Sequence, residues 1–290
     1  LNSMAESVEQ IDPTEELTIE AVKKKAVSGA AVLTGRMLLM QPINFLSMAL
    51  LTAFLTPAEF GIFFVVSAIK NFLSYFSDIG FAPALIQKKE QLTGIELKTI
   101  FTAQQVLILG ILLLGFLFSP LIQGIYNLDQ KAIYLFWALL LSLLFSSFKT
   151  IPSVLLERKL EFKKWVIPQI VETIIFNTIA VFLAWKGFGV TSYTVAVIVS
   201  GFVGLSLIYF IQPWLPGIAF SVSAFKSVLK FGIPYQANTL LAMIKDDGMI
   251  LFLGAVIGPS GIGLLGWAQK WAYAPLRFFM DQVIKVTFPA

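Results

Sequence analysis

The sequence predicts an all-α polytopic membrane protein with about eight transmembrane helices, and three observations predict it. Of the 290 residues, 57% are hydrophobic and 13% are charged, about half the charge of an ordinary soluble domain. Apolar runs of about 18 residues or more recur along the chain, and short basic loops separate them. The runs are continuous, whereas a membrane β-barrel alternates apolar and polar residues over segments of about ten. Cysteine and histidine are both missing from the sequence, which removes disulfides, thiol catalysis, metal ligation through those residues and histidine proton relays. The formal charge of +4 is scattered among loops rather than gathered in a basic domain, so nucleic acid is not an expected partner.

Residues 1–25 read as an acidic cytoplasmic tail. Glu6, Glu9, Asp12, Glu15, Glu16 and Glu20 are the reverse of the basic start of a secretory signal, and a short surface helix fits 14–22. Lys23-Lys24-Lys25 stands directly before the first apolar run, which sets the amino terminus on the cytoplasmic side. The first span covers about 26–54 and should kink at Pro42, where the ladder loses an amide. Arg36, Met40, Asn44 and Ser47 recur at helical spacing along one stripe. Arg36 there faces either a polar cavity or a partner on a neighbouring helix.

A turn bounded by Pro57 and Gly61 leads to a second span over about 58–86, carrying Lys70 near its middle and Asp78 further along. Their eight-residue separation is about 12 Å along the axis and about 80° around it, so they do not have to pair with each other. A basic loop with Lys88, Lys89 and Lys98 precedes the third span, 99–117, which ends at Ser119-Pro120. The fourth span covers 132–151. Glu157-Arg158-Lys159-Leu160-Glu161-Phe162-Lys163-Lys164 forms an amphipathic link. The fifth span, 166–185, contains Glu172, and the sixth covers 191–211.

Residues 213–226, with Pro213 and Pro216, are the best boundary between two lobes. The division is then a six-helix lobe over 26–212, the connection 213–226, and the start of a second lobe over 227–290. The seventh span, 228–257, places Lys245-Asp246-Asp247 near its midpoint, and the eighth, 260–287, carries Lys270 and Arg277. With alternating spans, twelve loop Lys and Arg residues fall on the cytoplasmic side and only Lys131 and Lys186 outside, a strong positive-inside signal.

Pro57-Ala58-Glu59-Phe60-Gly61 has a counterpart in Pro259-Ser260-Gly261-Ile262-Gly263, offset by 202 residues and at the same place in the helix order after six spans. Two parallel repeats about an axis normal to the membrane would give this pattern. The second copy stops after two helices, so the reading expects a chain cut off at Ala290, against the alternative of a complete eight-helix protein.

Leu55-Thr56-Pro57-Ala58-Glu59-Phe60-Gly61, Ser77-Asp78-Ile79-Gly80-Phe81, Leu85-Ile86-Gln87-Lys88-Lys89, the charged link 157–164, Phe231-Gly232-Ile233-Pro234 and Thr287-Phe288-Pro289 together resemble the polysaccharide (Wzx-type) flippases. These exporters belong to the multidrug/oligosaccharidyl-lipid/polysaccharide exporter superfamily, and the likeness is strongest to its colanic- and teichuronic-acid branch. The resemblance implies two six-helix lobes around a cavity that opens alternately to either face of the bacterial cytoplasmic (inner) membrane. It implies a transporter, not an enzyme, that moves undecaprenyl-pyrophosphate-linked oligosaccharide between leaflets for exopolysaccharide, capsule or O-antigen assembly. The implied partners are that lipid-linked oligosaccharide, membrane lipids, and the polysaccharide polymerase and export machinery.

Such a headgroup is large, hydrophilic and anionic, so it needs fixed positive charge in a watered cavity. Arg36, Lys70, Lys270 and Arg277 are the candidate substrate-binding cations. Lys270 and Arg277 lie seven residues apart on one helix face, although Arg277, Asp281 and Lys285 also form a self-neutralising ladder. Asp78, Glu172, Asp246 and Asp247 are the candidates for coupling to a proton or sodium gradient, with structural ion pairing as the alternative for each. No other cofactor and no bound metal are expected. Three competing readings are open. A cation-coupled multidrug exporter of the same superfamily would want a more apolar cavity. A membrane glycosyltransferase or polymerase would want a large external loop. A non-transporting fragment fits the short second lobe.

Overall fold

The computed structural model of the protein describes residues 19–88 and 90–287, with side chains from 25 onward except at 26, 231, 235, 237–239, 241–242 and 273–287. Most of the acidic tail, Lys89 of the basic loop and the Phe288-Pro289 end of the last motif therefore lie outside the described residues. The described residues form ten successive α-helices: α1 (Ile19–Phe54), α2 (Pro57–Tyr75), α3 (Phe81–Gln87), α4 (Gly94–Leu117), α5 (Ser119–Tyr126), α6 (Gln130–Arg158), α7 (Phe162–Trp185), α8 (Thr191–Ile211), α9 (Val222–Met243) and α10 (Met249–Thr287). A π-helical turn, Ile244–Gly248, joins the last two. Among the described residues, seven segments are long and apolar enough to cross a membrane. The protein is an all-α, multi-pass membrane protein.

Local chemistry accounts for most helix ends. Thr56 caps α2 and Thr93 caps α4, each in a reciprocal capping box with the glutamate three residues on, Glu59 and Glu96. Pro57 occupies the first turn of α2, where its missing amide costs nothing. The second span is shorter than expected. It stops at Tyr75, and Asp78 stands in the break, accepting a hydrogen bond from the amide of Phe81 at 2.7 Å as α3 begins. Gly80 takes φ +69° there, and its Cα side faces Gly232 of α9 so closely that a methyl would lie 2.7 Å from the Gly232 Cα. That conformation and that approach together require glycine. Ser119-Pro120, expected only to end a span, instead opens the short helix α5. The turn expected between the last two spans falls at Gly258, whose φ of 69° and ψ of 177° break the helical geometry of α10 ahead of Pro259.

One flank of α4 shows how the bundle meets its surroundings. Val106, Leu109, Leu113 and Phe116 point outward at spacings of three and four and are all more than half exposed. Ile100, Ile108 and Ile111 point inward and are buried. An outer apolar stripe of this kind suits hydrocarbon rather than water.

The interior divides into two apolar clusters stacked along the bundle. One contains Leu51, Val65, Phe136, Leu143, Ala180, Tyr193 and Ile262. The other contains Phe81, Leu85, Leu97, Ile100, Ile151, Leu155 and Trp214, and lies toward the basic end. At that end the Arg158 guanidinium donates to the carbonyls of Leu85 and Lys88 at 2.7 and 2.6 Å and of Glu90 at 3.0 Å, so that it caps α3. Lys25 donates to the Lys159 carbonyl at 3.3 Å, and Lys88 pairs with Glu96. Trp214 is packed against Phe101 in the connection after α8. The same connection is tied to α4 where Thr102 and Thr99 accept from the amides of Ala219 and Ser221.

Candidate functional site

A polar layer separates the two apolar clusters, and the helical repeat puts it there. On α6, Ser142, Ser146, Lys149 and Ser153 fall at spacings of four, three and four, so they share one face. On α7, Gln169, Glu172, Thr173 and Asn177 do the same. Those two faces meet, with Asn44 of α1, Lys70 of α2 and Ser200 of α8 around them. In α6 the apolar contacts run to Leu143, resume at Ile151, and belong to different clusters on either side.

Lys149 and Glu172 form the centre. The Lys149 ammonium donates to both carboxylate oxygens, at 2.9 and 2.7 Å, and the two side chains are only 18% and 29% exposed. The carboxylate rests against Gly204 of α8, where a methyl group would stand 2.5 Å from Oε2. Asn177 donates to Asn44 Oδ1 and to its own turn at the Thr173 carbonyl, both at 2.9 Å, linking α7 to α1. Gln105 of α4 donates to Ser147 at 2.9 Å. Two cavities of about 310 and 370 Å³ share Ser146 and Glu172 in their walls, so they adjoin at the ion pair. The first is also lined by Trp165, Gln169 and Glu157; the second by Lys70, Asn44 and Asn177.

The residues singled out from sequence are distributed around this layer. Lys70 and Glu172 come together on the 370 Å³ cavity. Arg36 is half-buried, its Nε donates to the Met40 sulfur at 3.3 Å, and its guanidinium stands 5.8 Å from the ring of Trp165, beside the smaller cavity. Asp246 and Asp247 diverge, as expected, on the π-helical turn. Asp246 pairs with Lys245 at 3.3 Å on an exposed face, while Asp247 accepts from Asn71 at 3.3 Å, one residue beyond Lys70. Single π-helical turns inside helices are frequent at functional positions. Asp78 is engaged as the cap of α3. Lys270 stands 4.8 Å over the Phe64 ring where α2 meets α10. Arg277 lies on α10, and its side chain is outside the described residues. Among the described residues, no group of three or more Asp or Glu is placed to hold a metal ion.

Sequence reasoning missed Lys149 and Gln169. The signal was present, because both repeat at helical spacing with serines or Glu172. Ending the fourth span at 151, however, left Lys149 near a boundary where a lysine is unremarked. In the structure α6 continues to Arg158, about 10 Å further along the axis at 1.5 Å per residue, and Lys149 is inside the bundle.

An enclosed layer of charged and polar side chains within a bundle of apolar, membrane-length helices defines a polytopic membrane protein with a polar interior. The chain belongs to the polysaccharide biosynthesis protein family, whose model matches residues 50–290. It is 25% identical over 248 residues to the succinoglycan biosynthesis transport protein ExoT of Rhizobium meliloti (strain 1021), covering 85% of this chain and 50% of that one. It is 24% identical over 284 residues to the lipopolysaccharide biosynthesis protein WzxC of Escherichia coli (strain K12), covering 93% of this chain and 55% of the relative. The chain thus spans about half the length of these curated relatives. Its fold is similar to an inward-facing multidrug resistance MATE family transporter of the MOP superfamily, with a TM-score of 0.54 and 17% identity over 79% of this chain and 57% of that one. The resemblance drawn from the motifs is borne out at the level of the polysaccharide family.

Proposed function

We propose that this chain forms the first lobe and the start of the second in a flippase that carries undecaprenyl-pyrophosphate-linked oligosaccharide across the bacterial cytoplasmic membrane. The single observation that carries the reading is Lys70, a cation on a polar cavity between two apolar layers of a membrane bundle. Lys149 is cancelled by Glu172, whereas Lys70 is positioned to meet an added anion. Membership of the polysaccharide family supports the cargo class, and both curated relatives carry names in polysaccharide biosynthesis or transport. The basic end, with Lys25, Lys88, Arg158 and Lys159, is the cytoplasmic one by the positive-inside rule.

Transport follows from alternating exposure of the cavity as the parts on either side of the 213–226 connection move, with no covalent chemistry. The diphosphate meets Lys70, and Arg36 lies nearer the cytoplasmic mouth. Glu172 and Asp247, on either side of Lys70, are where a proton or sodium ion would couple to that movement. Polymerase and export machinery would act on the saccharide once it reaches the outer leaflet. Hydroxyls, amides and charge along the cavity suit this cargo better than an apolar drug.

The test is translocation in proteoliposomes. A fluorescent polyprenyl-diphosphate saccharide should become accessible to a membrane-impermeant quencher with the wild-type chain and not with Lys70→Gln. Equal accessibility in empty liposomes, or no effect of the substitution, would count against the proposal.

A further inference from the structure

The smaller cavity differs in character from its neighbour. Lys149 is the single cation among its lining residues and is already held by Glu172, while Glu157 adds a second carboxylate. Its other polar groups are neutral: the hydroxyls of Ser146, Thr150 and Ser153 and the amide of Gln169. Gln169 uses its amino group on the Trp165 carbonyl at 3.3 Å, which leaves its carbonyl oxygen as an acceptor. Trp165 completes the wall with an indole. An anion entering here would meet the Glu157 carboxylate and a lysine already held by Glu172, while Arg36 is not among the lining residues and stands 5.8 Å from the Trp165 ring. A neutral polyhydroxylated ring would meet hydroxyls and carboxylate oxygens for its own hydroxyls and an aromatic surface for its apolar C–H face. The volume of about 310 Å³ lies at the lower end for small-molecule sites, about 300–1,000 Å³.

We propose that this chamber, between α6 and α7, is a saccharide subsite for one neutral pyranose, set apart from the Lys70 cavity that takes the anionic end of the cargo. The shared wall at Ser146 and Glu172 makes the two subsites adjacent, so a sugar and a diphosphate linked to it can be held together. The inference rests on the oligosaccharide reading of the cargo. Its consequence is selectivity: the chamber prefers a neutral hexose to a uronic acid, because Glu157 repels the carboxylate and Lys149 is already held by Glu172.

Saturation-transfer NMR on the full chain in lipid nanodiscs tests this with methyl glucopyranoside, methyl glucuronide and inorganic pyrophosphate as probes. Methyl glucopyranoside should receive saturation and bind at least about tenfold more tightly than the glucuronide. Gln169→Ala and Trp165→Phe should each weaken it about tenfold, Ser206→Ala on the outer side of α8 should not, and pyrophosphate binding should survive Gln169→Ala. No saturation of the glucoside, equal binding of the glucuronide, or unchanged binding in both chamber variants would overturn the subsite. Loss of the glucoside response alongside intact, Lys70-dependent translocation removes the subsite and leaves the flippase. A glucoside response that depends on Gln169, in a chain that translocates no lipid-linked saccharide, upholds the subsite and removes the flippase.

Discussion

Gly61 and Pro259 are in direct backbone contact: a methyl group on Gly61 would stand 1.5 Å from the Pro259 carbonyl oxygen. The reverse contact is also made, since a methyl on Gly263 would stand 1.8 Å from the carbonyl oxygen of Pro57. Two turns that share a Pro-x-x-x-Gly pattern, 202 residues apart, therefore clasp each other reciprocally. Because the obstructing atoms are backbone, they cannot swing aside. Gly61→Ala and Gly263→Ala should each destabilise the chain by about 1–3 kcal/mol, the usual cost of overpacking. Gly110→Ala on α4, where nothing lies within 4 Å, should be neutral or slightly stabilising. Thermal unfolding in detergent followed by tryptophan fluorescence separates the three.

The Lys149–Glu172 pair predicts an asymmetry between single and double substitutions. Lys149→Met leaves an enclosed carboxylate without its partner and should cost up to about 3–5 kcal/mol. Lys149→Met with Glu172→Gln removes both charges and should recover much of that loss. Equal stability of the single and double variants would mean that the pair is solvated well enough to be separated freely.

Arg158 predicts a local effect. Its fork reaches carbonyls spread from Leu85 to Glu90, a geometry that one ammonium cannot reproduce. Arg158→Lys should speed amide hydrogen exchange across α3 and the loop to Gly94 by tenfold or more, while α8 exchanges as before.

Asp78 predicts a pH dependence. It lies outside the spanning segments, and burial pushes its carboxyl above the usual range against the pull of the Phe81 and Ala82 amides. A raised folded-state value means that the folded chain holds the proton more tightly than the unfolded one. The stabilisation is complete below the unfolded value of about 3.9 and is lost as pH rises through the folded one. Asp78→Asn should flatten this part of the profile of thermal midpoint against pH, since asparagine still caps α3 without titrating. An unchanged slope would assign the titration to another group.

The spans were legible because hydrocarbon thickness fixes their length, and apolar runs long enough to cross leave few other folds open. Pro57, Pro259 and the two glycines could be aligned from sequence, but their mutual contact could not, because spacing carries no distance between helices. The break at Asp78 and Gly80 was hidden inside an apolar run, where a capping carboxylate looks like a buried charge. Lys70 and Glu172 were found because charge in a bilayer is conspicuous. Their neighbours Ser142, Ser146, Gln169 and Asn177 were not, since uncharged polar residues are common in packed membrane helices and only their convergence marks a cavity.

The central claim is that the polar layer around Lys70 receives a lipid-linked saccharide. Its most direct test is a native mass spectrum of the protein gently extracted from its own membrane, wild type beside Lys70→Gln. The account predicts a bound polyprenyl-diphosphate saccharide on the wild type and its loss from the variant. Bulk phospholipid alone on both would contradict it.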